Sequence, residues 1–119
     1  WGRALSRLSL EQDRGFAWTI LTEQDFLETH TSPEHLDAVI EELVSYAPGT
    51  RAIAFALHSE GRIRLHIHAL APFSAIEIGR VVNARGTREK TIAEFATQAP
   101  HDDTKNLIEK IRQNIPLSQ

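Results

Sequence analysis

Residues 61–70 of the chain read GRIRLHIHAL, and this stretch decides the fold. Ile63, Leu65 and Ile67 occupy every second position, and the positions between them carry Arg or His. A period of two is typical of a half-buried β-strand, because successive side chains of a strand point to opposite faces of the sheet. The preceding run, residues 51–58 (RAIAFALH), is also apolar and strand-forming, and a Ser-Glu-Gly loop separates the two. The sequence therefore predicts a β-hairpin whose second strand presents a row of cations.

The basic row of this strand leaves three interpretations open. In the first, it is the solvated outer face of an antiparallel strand, where Arg and His are common. In the second, it receives a phosphate, because Arg offers a bidentate fork and His donates hydrogen bonds to anions. In the third, His66 and His68 ligate a metal ion, which is disfavoured because no further ligand lies nearby in sequence. The four residues of the row are Arg62, Arg64, His66 and His68.

Composition limits the classes of protein to which the chain can belong. At 119 residues and 13.4 kDa the chain fits one domain with a small two-layer core. It has no cysteine, which excludes disulfides and thiolate chemistry and fits a reducing compartment. The net charge of −3 and the pI near 6.1 argue against a general nucleic-acid coat, so any anion site has to be local. No bilayer-spanning run or signal peptide is visible in the sequence, so we expect a cytoplasmic protein.

The sequence contains no methionine, even at position 1. Because translation begins with methionine, we expect the chain to be a piece of a longer protein. The first ten residues (WGRALSRLSL) place Trp1, Leu5 and Leu8 on one helical face, which predicts the end of a helix that links two domains.

Periodicity and capping signals predict the remaining elements. Residues 16–21 (FAWTIL) are rich in aromatic and β-branched residues and predict an interior strand. Ser32 and Pro33 form a helix-start signal, and apolar residues at helical spacing follow as far as residue 46. We also expect short helices at 23–28 and 91–99, a helix at 75–83 begun by a Ser74 capping box, a loop at 83–90 and a helix at 104–114. This order predicts an α+β two-layer sandwich, in which a small mixed sheet of about three strands or more packs with helices.

Together, GFAWTILTEQDF, the helix LDAVIEELVSY and the strand GRIRLHIHAL resemble the C-terminal substrate-binding domain of the DHH phosphoesterases. That family includes RecJ-like nucleases, nano-RNases and related nucleotide phosphatases. The opening WGRALSRL is similar to the helix that connects the catalytic domain of these proteins to the substrate-binding domain. The resemblance implies an interdomain helix ending at residues 1–12 and a DHH-associated domain at 13–119.

Two family signatures depart from the usual pattern in this chain. The family's Arg-Ser pair, whose Arg binds substrate phosphate, corresponds to His68 and Ala69. The family's GGGH loop falls on residues 83–87, where only Gly86 is retained. A weaker, pH-dependent cation thus replaces the Arg, and the loop has gained β-carbons and lost its His. Arg64, Arg85 and Arg88 are the candidates to compensate.

The resemblance also implies where the chemistry lies. In the family, a separate N-terminal domain holds two Mn²⁺ ions that activate water for attack on a phosphodiester. No DHH motif occurs in these residues, so the chain alone is expected to bind a nucleotide or short single-stranded oligonucleotide without hydrolysing it. The alternative is a degenerate domain that acts as a dimerisation or docking module. A free-standing enzyme built on His66 and His68 would need a nucleophile or metal ligand that the sequence does not supply.

Overall fold

A computed structural model of the chain describes residues 8–22, 38, 41, 45 and 47–116. Residues 38, 41 and 45 are helical, as predicted for 33–46, and the rest of that segment and the predicted helix at 23–28 lie outside the described residues. The described elements are β1 Ser9–Glu11, β2 Phe16–Thr22, β3 Ala52–Ser59, β4 Arg62–Ala69, α1 Ala75–Gly79 with a 3₁₀ turn at Arg80–Val82, β5 Arg85–Gly86, β6 Lys90–Ala96 and α2 Pro100–Gln113.

The strands form one mixed sheet in the order β1-β2-β3-β4-β6-β5. β2 and β3 are parallel, and every other pair is antiparallel. The predicted hairpin is confirmed as β3 and β4, and the predicted strand at 16–21 is confirmed as the interior strand β2. The α+β class is confirmed, with six strands in the part of the chain that the structure describes.

One face of the sheet forms the main core. Alternate residues of β2, β3, β4 and β6 point to this face, and α1 and α2 cover it. Apolar burial on this scale is the main favourable contribution to folding. Core residues from the strands and helices include Phe16, Ala54, Leu65, Ile67, Ala93, Ile108 and Ile111.

The solvent exposure of the opposite face changes across the sheet. Over β2 and β3 its residues are buried, among them Thr19, Phe55 and Leu57. Over β4 and β6 the corresponding positions are half-buried or exposed. The sheet therefore leaves the outer part of this face open to solvent on the strands that carry the basic residues.

Four expectations are corrected. Residues 90–96 form strand β6 and not the predicted helix, because the chain pairs along the whole of β4. Ser9–Glu11 pairs with β2 as a strand where a helix was expected, and residues 1–7 lie outside the described part. The predicted loop at 83–90 contains the short strand β5. The helix at 75–83 is confirmed as α1 and its 3₁₀ turn, but Ser74 makes no side-chain capping hydrogen bond.

Candidate functional site

The basic residues of β4 stand on the open side of the sheet. The burial of β4 alternates, with Ile63, Leu65 and Ile67 fully buried and the Arg and His positions half-buried or exposed. The alternation predicted from the sequence is therefore confirmed. We call this surface the cationic face, and it comprises Arg62, Arg64, His66, His68, Arg85 and Lys90.

Strand register adds residues of β5 and β6 to this face. Residues paired directly across a sheet point to the same side. His66 pairs with Ile92, and Ile92 pairs in turn with Arg85, so these three form a row across three strands. His68 pairs with Lys90, and Arg64 pairs with Glu94. The cationic face thus extends from β4 to the edge of the sheet at β5.

Glu94 neutralises part of the cationic face. Its Oε1 accepts a hydrogen bond from Arg62 Nε at 2.8 Å and lies 3.8 Å from Arg64 Nη2. The hydrogen bond from Arg62 lowers the pKa of the Glu94 carboxyl below its ordinary value, so this carboxylate is ionised at neutral pH. An incoming anion has to compete with Glu94 for both guanidinium groups.

His66 is a neutral member of the face. Burial, and then the positive charges of Arg64 and Lys90, lower the pKa of His66 below its ordinary value. Its Nε2 atom is buried and has no hydrogen-bond partner among the residues that the structure describes. The imidazole is therefore uncharged at neutral pH, and this nitrogen is shielded from an anion that approaches from solvent.

His68 is half-buried beside the apolar part of the same face. Its ring meets the Phe55 ring edge-on, with 6.0 Å between the ring centroids. Strand pairing places His68 next to its cross-strand neighbour Lys90. His68 and the cation Lys90 therefore lie side by side on the cationic face.

Arg85 and Lys90 are the cations of the face that remain available. Both are exposed, and the side chain of neither makes an ion pair or hydrogen bond among the residues that the structure describes. Arg85 lies on β5, next to Gly86. An anion reaching the edge of the sheet would meet these two cations first.

Gly86 is required by the fold itself. Its φ of +153° is a conformation that side chains rarely adopt, and a β-carbon there would clash with the carbonyl oxygen of Lys90. The close approach is thus between Gly86 and the backbone of β6. The retained glycine positions Arg85 and does not by itself indicate a ligand.

Arg88 does not join the cationic face. Its Nη2 donates a hydrogen bond to the carbonyl oxygen of Pro72 at 3.0 Å. This bond ties the turn between β5 and β6 to the segment that precedes α1. The structure thus groups Arg62, Arg64, His66, His68 and Arg85, and it directs Arg88 elsewhere.

Sequence reasoning missed three residues on this side of the sheet: the face member Lys90 and its neighbours Ile92 and Glu94. They alternate along β6, and the signal that identifies them is the period of two in residues 90–96 (KTIAEFA). The spacing of Ile92 and Phe95 also fits a helix, and this competing period is the reason for the wrong prediction.

Within the described ranges, no group of three or more His, Cys, Asp or Glu side chains is placed to hold a metal ion. The residues described therefore do not fit a metal centre, and His66 and His68 gain no third ligand there. No helix in the same part of the chain is long and apolar enough to cross a membrane.

No protein-family model and no curated protein matches the sequence. Solved structures do match. An exopolyphosphatase-related protein from Bacteroides fragilis is 15% identical with a TM-score of 0.70, and the match covers 94% of this chain and 34% of that one. A pGpG-specific phosphodiesterase from Vibrio cholerae is 12% identical with a TM-score of 0.60, over 95% of this chain and 38% of that one.

RecJ from Thermus thermophilus, solved in complex with Mg²⁺, is 14% identical with a TM-score of 0.55, over 94% of this chain and 16% of that one. The chain shares its fold with a part of each of these three proteins. At these identities the likeness concerns the fold alone. The matches span between 16% and 38% of the length of these three neighbours.

Proposed function

We propose that the chain is the substrate-binding domain of a DHH-family phosphoesterase, and that its cationic face receives the phosphate groups of a nucleotide or short single-stranded oligonucleotide. The observation that carries this proposal is the concentration of positive charge on one open surface of an acidic chain. The cationic face holds four permanent cations against the single carboxylate of Glu94, whereas the whole chain has a net charge of −3. A local concentration of this kind attracts anions to one place.

The likeness in fold supports the same proposal. The neighbours include proteins named as a pGpG-specific phosphodiesterase and as RecJ, and in each the matching region is a minor part of a longer chain. A domain of such a protein is suited to holding a substrate while another domain acts on it. The predicted Mn²⁺ ions and the reaction belong in this proposal to the N-terminal catalytic domain, and the chain contributes substrate positioning alone.

Within the cationic face, we place the first phosphate between Arg85 and Lys90. Glu94 already engages Arg62 and Arg64, so a phosphate gains less there than at cations that have no partner in the described part of the chain. Arg offers a planar fork to phosphate and Lys offers a compact charge, so the two complement each other. His68 lies beside this position, opposite Lys90 across the strand pair.

Nuclear magnetic resonance titration with a 5′-phosphorylated dinucleotide tests the proposal. We expect backbone amide shifts in residues 64–69 and 85–92 and none in α2. The double variant Arg85→Gln, Lys90→Gln should weaken binding by about 30-fold, since each of the two ionic hydrogen bonds contributes on the order of 1 kcal/mol at an exposed site. The matched control removes two exposed lysines of α2, Lys105→Gln with Lys110→Gln, and should bind as the parent does. Unmoved amides at millimolar dinucleotide would contradict the proposal.

The isolated chain is proposed to be inactive as a hydrolase. Incubating it with Mn²⁺ and a dinucleotide, and separating the products by chromatography, should show no cleavage. Cleavage that a chelator abolishes would contradict this part of the proposal, because it would locate a complete metal centre within the chain.

The second candidate is a degenerate domain that serves as a dimerisation or docking module. One observation favours it: Arg88, one of the cations expected to compensate for the altered loop, is bonded to the carbonyl of Pro72. The module would then use the DHH-associated fold without its ligand. Sedimentation equilibrium distinguishes the two candidates, since a module that dimerises gives twice the monomer mass and a ligand-binding monomer does not.

A further inference from the structure

Ile92 lies at the centre of the cationic face. It is 42% exposed, and it pairs with His66 on one side and with Arg85 on the other. Lys90 and Glu94 are its neighbours on the same face of β6, because alternate residues of a strand share a face. A large aliphatic side chain is thus surrounded by four polar or charged ones and remains open to solvent.

The other exposed large aliphatic residues of the described ranges lie elsewhere. Ile76 and Val81 belong to α1 and its 3₁₀ turn, and Leu10 belongs to β1 at the far edge of the sheet. Ile92 alone among them stands where we place a phosphate. A scattered apolar residue needs no explanation, but this one adjoins both of the available cations.

His66 extends the apolar surface around Ile92. The two residues face each other across β4 and β6, whose backbones lie about 4.8 Å apart. Because the imidazole of His66 is uncharged at neutral pH, it presents a flat, weakly polar ring next to the aliphatic side chain. The two side chains together form a small platform that is bordered by cations.

We propose that Ile92 is a specificity-determining residue, on which a nucleobase packs while the attached phosphate reaches Lys90 and Arg85. This inference rests on the proposed function. A base covers the aliphatic side chain with an apolar face and removes both surfaces from water. A base-free phosphate, such as inorganic polyphosphate, brings only charged oxygens, which gain nothing from Ile92. The site therefore selects nucleoside phosphates over base-free phosphates.

Matched ligands test this selection by isothermal titration of the 119-residue chain. Adenosine 5′-phosphate and ribose 5-phosphate carry the same phosphate and sugar, and only the first carries a base. We expect the parent chain to bind adenosine 5′-phosphate about fivefold more tightly, a factor that corresponds to about 1 kcal/mol. Tripolyphosphate has more charge and no base, so its affinity should not depend on Ile92.

The variant Ile92→Thr keeps a β-branched residue in the strand and removes the apolar end of the side chain. It should bring the two affinities within about twofold of each other by weakening adenosine 5′-phosphate alone. Val81→Thr is the matched control, because Val81 is 43% exposed and lies away from the cationic face. Should Ile92→Thr not fold, Ile92→Val removes one methyl group and is expected to reduce the ratio without abolishing it.

The outcomes separate this inference from the proposed function. Equal affinity of the parent chain for the two sugar phosphates overturns the role of Ile92 and leaves phosphate binding intact. Equal weakening of both ligands by Ile92→Thr also overturns it, since the residue would then support the face in general. Absence of binding by all three ligands overturns the proposed function and this inference together.

Discussion

Two buried threonines illustrate how the hydrogen bonding of one hydroxyl determines what a residue contributes to stability. Thr19 Oγ1 is buried and has no hydrogen-bond partner in the described part of the chain, whereas Thr91 Oγ1 donates to the carbonyl oxygen of Ala75 at 3.0 Å. Both side chains are almost fully buried. An unpaired buried hydroxyl costs free energy, and a paired one contributes about 1 kcal/mol.

Replacing each threonine by valine, which is nearly isosteric, should therefore have opposite effects. We expect Thr19→Val to raise the free energy of unfolding by about 1 kcal/mol and Thr91→Val to lower it by about 1–2 kcal/mol. Urea unfolding followed by tryptophan fluorescence measures both changes, and each variant is the control for the other. A loss of stability in Thr19→Val would show that its hydroxyl is satisfied in solution.

His66 makes stability depend on pH. Its folded-state pKa is lowered mainly by burial and then by Arg64 and Lys90, whereas in the unfolded chain it returns to about 6.5. The unfolded state therefore binds more protons just below that pH, and stability falls as the pH drops from about 6.5 towards the folded value. Comparing urea midpoints at about pH 7.5 and 5.5 should show this decrease in the parent chain.

The variant His66→Gln should show a smaller decrease over the same pH range, because it removes the group that takes up a proton on unfolding. His101→Gln, which removes an exposed histidine from the first turn of α2, is the control for loss of an imidazole. An unchanged pH dependence in His66→Gln would contradict the assignment to His66.

At the scale of single elements, the ion pairs of Glu94 link β6 to β4 and also limit anion binding. The variant Glu94→Gln removes the negative charge while keeping the shape of the side chain. It should tighten binding of a phosphorylated dinucleotide by about threefold, because Arg62 and Arg64 are then released in a solvent-exposed, partly screened setting. Glu77→Gln removes an exposed carboxylate from α1 and should leave the affinity unchanged in the same titration.

The reverse result, weaker binding in Glu94→Gln, would mean that Glu94 holds the two arginines in the geometry that the phosphate requires. Thermal unfolding of the same variant provides a check on folding. Because the pairs are exposed, removing them should change stability little.

The elements were predictable where a single period dominates the sequence. Strict alternation in residues 62–69 predicted β4 and its basic side correctly, because the pleat allows only two faces. β6 was not predicted, because the spacing of Ile92 and Phe95 suggests a helix. Only the pairing with β4 shows that this segment is a strand. The bond from Arg88 to Pro72 depends on the tertiary position of the segment before α1, and no local pattern encodes it.

At the scale of the whole molecule, side chains of β1, the following turn and α2 join the two ends of the described chain. Arg112 donates to both oxygens of Glu11, at 2.6 and 3.1 Å, and this bond lowers the pKa of the Glu11 carboxyl. Arg14 donates to the carbonyl oxygens of Arg112 and Ile115. The edge strand β1 is only three residues long, so the bonds of Glu11 add to the three residue pairs that join it to β2.

Removing this link should loosen β1 without unfolding the centre of the sheet. In Arg112→Met, amide hydrogens of residues 9–11 are expected to exchange faster with solvent, while those of β3 and β4 keep their protection. Hydrogen–deuterium exchange mass spectrometry measures both regions. Lys110→Met, an exposed neighbour on α2, is the matched control, and equal exchange in the two variants would contradict the role of Arg112.

The α+β class was predictable from the order of elements, whereas the number of strands was not. Short edge strands such as β1 and β5 carry too few residues to show a period, and tertiary pairing alone reveals them. The candidate site likewise had a part that the sequence predicts and a part that only tertiary pairing reveals. Its β4 residues were visible in the sequence, and its β6 residues became visible only through the register.

The engagement of Arg62 and Arg64 by Glu94 has a consequence for how binding responds to ionic strength. A phosphate that binds Arg62 or Arg64 displaces the Glu94 carboxylate from that arginine. One ion pair then replaces another, so the number of neutralised charges does not increase. For a short oligonucleotide, the logarithm of affinity should then fall against the logarithm of salt concentration with a slope of about 1.4, set by Lys90 and Arg85, and not about 2.8. Counting the arginines on the surface would overstate how strongly added salt dissociates the complex.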